Sequence, residues 1–342
     1  MRAFLFGITI FDKKEAVFAN QNKCMMLGVS MLFSYRKVFK LSWKSVGVYM
    51  ILTEKDTWAN RYIRMKIKQY KKKKAELLFS DKPIRGVTVR KRIHPILIKV
   101  LQIKSILSGL TYEFVSKENN MPKEQPVIYA ITHIGKYDYE MLVEACDIFA
   151  YPFAGDWELM YATVDDFFLR ANGVLWVDTG DKEDRQNSFR FMKKALKQGI
   201  SMLIYPEGIW NLTESLPVMK IFPGAVQAAK ECNVPIIPIA IEQKGKHFLI
   251  NVGEALDVSE MEEKEAVEVL RDNLATLKWK IWETFPMERR KDIPRGYHDV
   301  FVQERLAECA GFTKELVEGR MFRDKTDREI LAIEEDLKKI HA

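Results

Sequence analysis

Apolar residues come in strand-length runs along the middle of the chain, and amphipathic stretches of helical length separate them. Residues 127–132 form one such run, and 151–155, 174–177, 201–205, 236–241 and 248–252 repeat its character. Residues 111–115 read as a shorter strand. Between the runs, residues 157–171, 184–197 and 225–231 place apolar side chains three and four apart, and a further helix passes through Leu142 and Val143. Strands alternating with helices of these lengths predict an α/β fold, a mostly parallel central sheet flanked by helices. The nearly continuous apolar strands predict a sheet covered on both faces.

The two ends differ from this middle. Residues 54–79 read as a helix with a Lys/Arg-rich face, and Pro83 and Gly86 punctuate the chain after it. Residues 94–110 then carry Ile96, Leu97, Val100, Leu101, Ile103, Ile106, Leu107 and Leu110 with Lys99 and Lys104 among them. That is a basic amphipathic helix, suited to a membrane interface or to packing on a core, and long lysine stems allow both. After residue 259 the chain reads as helical to 285. Residues 289–297, with Pro294, read as a linker, and 300–340 as helical with breaks near Gly311 and Gly319. Three regions follow: a basic amino-terminal extension over 1–90, a core domain over 91–285 and a helical carboxyl-terminal extension over 286–342.

Charge sharpens the first of these. The chain has 342 residues and a net charge of +7, but residues 1–104 hold 24 Lys and Arg against 6 Asp and Glu. The remainder holds 30 against 41. A basic end is drawn to an anionic surface, nucleic acid or acidic lipid. No recognised nucleic-acid module accompanies it, and its apolar neighbours favour an anionic membrane, so no nucleic-acid partner is expected. Lys71 to Lys74 alone read as a solvated helix face. No stretch reaches the roughly 18 apolar residues that a spanning helix needs, so attachment would be peripheral. A signal peptide over 1–35 is disfavoured because Asp12, Lys13, Lys14 and Glu15 interrupt it.

The candidate chemistry starts at His133, directly after a predicted strand, with Asp138 five positions on where a helix should begin. Ligands of parallel sheets bind beyond the carboxyl ends of strands. A carboxylate on one ring nitrogen would fix the tautomer and leave the other nitrogen to deprotonate a hydroxyl. Tyr205-Pro206-Glu207-Gly208 also follows a strand, and its amides could steady an oxyanion or Glu207 could hold an acceptor hydroxyl. Lys220-Ile221-Phe222-Pro223-Gly224-Ala225 opens a helix whose amides suit an anion. The cysteines (Cys24, Cys146, Cys232 and Cys309) fit neither a zinc site nor a disulfide framework. No metal and no cofactor is expected. No G-x-S-x-G elbow is present. His94, His247, His298 and His341 read as ordinary histidines, and Trp157 and Trp176 as core.

Taken in order, His133-x4-Asp138, Gly173-Val174-Leu175-Trp176-Val177-Asp178, Tyr205-Pro206-Glu207-Gly208 with Lys220 and Pro223-Gly224-Ala225, and Val234-Pro235-Ile236-Ile237-Pro238 resemble the four blocks of the glycerolipid acyltransferases. That family includes the lysophosphatidate (1-acylglycerol-3-phosphate) O-acyltransferases, and the resemblance covers about residues 95–255. It implies that 91–285 is an acyltransferase domain at the cytoplasmic face of a membrane. It also implies acyl-CoA or acyl-carrier protein as donor, a lysophospholipid-like lipid as acceptor, and His133 with Asp138 as the catalytic pair. Glu207, Gly208, Trp210, Lys220 and Arg185 are the candidate substrate-binding residues. Two departures stand out. The second block usually continues with an arginine where this chain has Thr179, and the third reads Glu-Gly-Thr-Arg where this chain has Glu207-Gly208-Ile209-Trp210. Both arginines are associated with the acceptor's phosphate, and neither Thr nor Trp replaces a bidentate guanidinium. Arg185, Arg190 or Lys220 could supply a cation instead. The alternatives are a divergent member acylating a non-phosphate acceptor, or a non-enzymatic lipid- or membrane-binding protein.

Overall fold

The protein is described by a computed structural model over residues 58–117, 125–161, 163–213, 216–285, 290–309 and 312–321, all within one unit, Lys55–Ala342. Seven strands make one sheet: β1 (Thr111–Lys117), β2 (Ile128–Ile131), β3 (Tyr151–Ala154), β4 (Leu175–Trp176), β5 (Met202–Ile204), β6 (Ile236–Lys244) and β7 (His247–Val252). Their order across the sheet is β1-β7-β6-β2-β5-β3-β4. Every neighbouring pair is parallel except β6 and β7. Those two form a hairpin whose turn begins at Gly245 with φ +60°, the left-handed conformation that two-residue turns require.

Ten helices surround the sheet among the described residues: α1 (Trp58–Leu78), α2 (Val87–Ser108), α3 (Asp138–Cys146), α4 (Trp157–Met160), α5 (Val164–Asn172), α6 (Lys182–Lys197), α7 (Gly224–Cys232), α8 (Glu263–Glu283), α9 (Tyr297–Ala307) and α10 (Lys314–Met321). Strand side chains alternate between two cores, as a pleated sheet demands. Ile131, Leu203, Ile237, Ile239 and Ile241 pack with α2, α3 and α5. Ile128, Ala130, Met202, Ile204 and Ile236 pack with α6, α7 and α8. Burial on both faces explains the unbroken apolar strands.

Several elements differ from the sequence reading. The single helix expected over 157–171 is two, α4 and α5, because Thr163 caps α5 by accepting the Asp166 N–H at 3.2 Å. Gly319 lies inside α10 rather than at a break. The boundary drawn at residue 90 falls within α2. Ahead of it, α1 packs Ile67 and Tyr70 into one core and Leu77 and Leu78 into the other. The lysine run is not uniformly solvated either. Lys74 is buried, with Nζ on Asp184 (2.8 Å), on the Trp176 carbonyl (2.9 Å) and on Ser188 (2.6 Å). Lys71 pairs with Asp178 and Asp181. Helical spacing turns some lysines of the run inward, where the acidic loop after β4 receives them.

Candidate active site

Residues 1–57 and 322–342 lie outside the described residues. β2 and β5 are parallel neighbours, pairing Ile128 with Met202 and Ala130 with Ile204. The offset of 74 positions set by that register carries past the strand ends, where the His133 N–H donates to Glu207 Oε1 at 3.1 Å. The chain after β5 turns at Tyr205-Pro206-Glu207-Gly208, with the Gly208 N–H on the Tyr205 carbonyl at 3.0 Å. Pro206 at the second position presets this turn, and Gly208 takes φ +73° to leave it. Asn211 N–H then donates to the His133 carbonyl at 2.6 Å. Both backbone polar groups of His133 are therefore gripped by residues 207–211.

The imidazole is fixed from the other side. Asp138 opens α3, where a helix N-terminus favours a carboxylate. Its Oδ2 accepts three donors: the Ile134 N–H at 2.7 Å, the Gly135 N–H at 3.0 Å and His133 Nδ1–H at 2.9 Å. The Asp138 side chain is fully buried, whereas that of His133 is 20% exposed. With the Nδ1 proton committed to a carboxylate, Nε2 carries the free lone pair of the neutral ring. Tyr205 lies flat against the ring at a centroid distance of 3.9 Å, and Trp210 meets it edge-on at 6.1 Å. Burial pushes the Tyr205 hydroxyl well above its ordinary value. The phenol therefore keeps its proton at neutral pH, and its ring is the platform on which the imidazole rests.

The fold draws together His133, Asp138, Glu207, Gly208 and Trp210. Glu207 is buried, and its second oxygen accepts the Met219 N–H at 2.9 Å. Burial raises its carboxyl to about 7, against the lowering pull of the Met219 and His133 N–H groups. Both of its oxygens thus accept backbone N–H groups, one of them that of His133. Trp210 is buried at 3% exposure and stacks on Phe312 at 4.5 Å, among Ile209, Leu212, Met219, Val302 and Val317. Lys220 is exposed and directly follows Met219, beside the segment in which the Phe222 N–H bonds the Pro206 carbonyl at 2.8 Å. Arg185 lies elsewhere. It sits in the first turn of α6, exposed, with Nη1 on the Thr179 carbonyl at 2.6 Å. That loop leaves β4, three strands from β2, or about 14 Å at the usual strand spacing.

Sequence reasoning missed Tyr205 as the ring platform, Phe312 as the cover of Trp210, and Arg305 and Glu308 beside the histidine loop. Pro206 marked a turn but not what its neighbour would stack on. The last three residues lie far along the chain from the motifs and carry no local signal. Among the described residues, no group of three or more His, Cys, Asp and Glu is placed to hold a metal ion. No helix among them is long and apolar enough to cross a membrane.

Known proteins share parts of this chain. An uncharacterized acyltransferase of Schizosaccharomyces pombe is 29% identical over 104 residues, covering 29% of this chain and 37% of its own length. The chain thus matches little more than a third of that relative. The crystal structure of the 1-acyl-sn-glycerophosphate (LPA) acyltransferase PlsC from Thermotoga maritima aligns with a TM-score of 0.49 at 15% identity, over 68% of this chain and 97% of that one. Residues 114–242 match the model of the Acyltransferase family, a span that contains β2, the His133–Asp138 pair, the Glu207 turn and most of β6.

Proposed function

We propose that the protein is an O-acyltransferase in which His133 is the general base and Asp138 its orienting partner. An acceptor hydroxyl approaches the exposed side of the imidazole, and Nε2 takes its proton as the oxygen attacks the thioester carbonyl. The imidazolium that forms is stabilised by the Asp138 carboxylate. Collapse of the tetrahedral intermediate breaks the C–S bond, and the proton passes from His133 to the departing thiolate. The products are an ester and a free thiol, and no protein nucleophile enters the sequence. The observation that carries this reading is the 2.9 Å bond from His133 Nδ1 to the buried Asp138, which leaves the partly exposed ring as a base.

The donor in this reading is acyl-CoA or acyl-carrier protein, and the acceptor a lysophospholipid-like lipid. A peripheral site on an anionic membrane is supported by α2. Its inner face buries Leu97, Ile98, Leu101 and Ser105, while Val89, Ile96, Ile103, Ile106 and Leu107 are each more than half exposed on the outside. Lys91, Arg92 and Lys99 are exposed on the same helix. An apolar stripe flanked by cations suits the headgroup boundary. Lys104 on α2 bonds Glu140 at 2.6 Å, and Glu140 lies two residues beyond Asp138, so this surface is tied to the helix that carries the catalytic carboxylate.

A second reading concerns the acceptor. Trp210 is buried under Phe312 and offers no cation at the place where the resembling family keeps an arginine. This favours an acceptor whose phosphate is capped or absent over lysophosphatidate. The experiment is an acceptor screen with acyl thioester donors, read by thiol release and by mass spectrometry of the product. Wild-type protein is expected to transfer acyl groups and His133→Ala to lose all transfer. Equal transfer by His133→Ala sinks the mechanism, and preference for lysophosphatidate over headgroup-bearing lysolipids sinks the second reading.

A further inference from the structure

Gly135 lies in the loop between His133 and Asp138, and its outer side is covered. A side-chain carbon on Gly135 would lie 3.5 Å from Gln243 Oε1, 3.6 Å from Glu308 Oε2 and 3.9 Å from Arg305 Cδ. Those three residues are bonded to one another. Arg305 Nη1 donates to Glu308 Oε1 at 3.0 Å and Nη2 donates to the Gln243 carbonyl at 2.9 Å. Gln243 Nε2 donates to the same Glu308 oxygen at 3.2 Å and to the Gly245 carbonyl at 2.8 Å. The Arg305 side chain is 7% exposed, so the fork is fixed by burial as well as by bonds. None of the three lies within residues 114–242, the span of the family match.

This arrangement closes the loop from the side that the family domain leaves open. Within the domain, Asp138 binds the inner N–H groups of Ile134 and Gly135, and residues 207–211 bind the His133 backbone. The remaining side rests on α9, which is anchored to β6 through Arg305 and Gln243. Trp210, edge-on to the imidazole, stacks on Phe312 just beyond α9, so the same segment also backs the ring. We propose that Arg305 and Glu308 are positioning residues: they clamp the His133–Asp138 loop against β6 and keep the imidazole in its reactive orientation. The inference rests on the acyltransferase reading and extends it from the family domain to residues 297–312, which then form one wall of the site. Side chains that act on the imidazole through the Gly135 loop, and not by gripping the donor, affect turnover more than binding when lost.

The test compares Glu308→Ala, Glu308→Gln and Arg305→Lys with wild type and with His133→Ala, in full-length protein. Three readouts are taken: kcat, KM for the acyl thioester, and the far-downfield proton resonance of a bonded imidazole N–H, assigned to His133 by its absence in His133→Ala. Glu308→Ala is expected to lose at least tenfold in kcat with the donor KM within twofold, and to broaden or lose the His133 resonance. Glu308→Gln keeps an acceptor for Arg305 and Gln243 and is expected within threefold of wild type. Should Glu308→Ala fail to fold, Arg305→Lys carries the test, because a lysine keeps the charge and loses the fork. Wild-type kcat and an unchanged His133 resonance in the folded variants overturn the inference while leaving the His133 mechanism standing. Transfer by His133→Ala at the wild-type rate overturns the mechanism itself.

Discussion

Glu207 offers a sharp test of how the site is built, because burial and hydrogen bonding pull its proton in opposite directions. Its carboxyl rises from the usual 4.5 to about 7, with burial the largest cause. A carboxyl raised on folding is favoured while protonated. Its contribution to stability is fully present below 4.5 and is lost as the pH rises through about 7. That rise corresponds to roughly 3 kcal/mol, of which about 2.5 kcal/mol falls between pH 5 and pH 8. Glu207→Gln removes the titration. It keeps one oxygen for one backbone donor and sets an amide against the other, at a cost of about 1–3 kcal/mol. Urea unfolding followed by tryptophan fluorescence at pH 5, 6, 7 and 8 is the assay, with a common m-value required for the comparison. Wild type is expected to be the more stable protein at pH 5. Its advantage over Glu207→Gln then shrinks by about 2.5 kcal/mol toward pH 8 and closes or inverts. Other titrating groups are common to both proteins and cancel. An advantage that stays within about 0.5 kcal/mol across the range refutes the reasoning, since Glu207 would then ionise as it does in the unfolded chain.

Three other outcomes are expected. Asp138→Asn should fold and lose about 10²–10⁴-fold in kcat, since a neutral amide stabilises the imidazolium far less; steady-state thiol release measures it. Lys74→Ala strands the buried Asp184 carboxylate and should cost about 3–5 kcal/mol in denaturant unfolding. Replacing both Ile96 and Ile103, which are 52% and 58% exposed on α2, by glutamate should reduce sedimentation with anionic vesicles at least tenfold while leaving the melting temperature within a few degrees. Undiminished vesicle binding would place the membrane contact elsewhere.

What could be read from the sequence was local. The α/β pattern showed because strand side chains alternate between two covered faces, which leaves runs such as 236–241 almost wholly apolar. His133 and Asp138 showed because five residues and a turn suffice to join them. The role of Glu207 did not, although its motif did. That role depends on the β2–β5 register, which brings position 207 beneath position 133 across 74 residues, and no linear pattern encodes a register between distant parallel strands. Lys74 was misread for a related reason, since its partner Asp184 lies 110 residues away. The same physics explains why a carboxylate beyond a strand end is weak evidence of substrate contact. Such a group is first claimed by the nearest backbone N–H groups left unpaired where the strands stop. Asp138 has claimed two of them and the imidazole, and Glu207 has claimed the N–H of His133 itself. Two acids that look alike in sequence thus grip one residue at two points, one orienting its ring and the other its backbone. An imidazole restrained at both points, acting as the general base we propose, loses little freedom when an acceptor arrives.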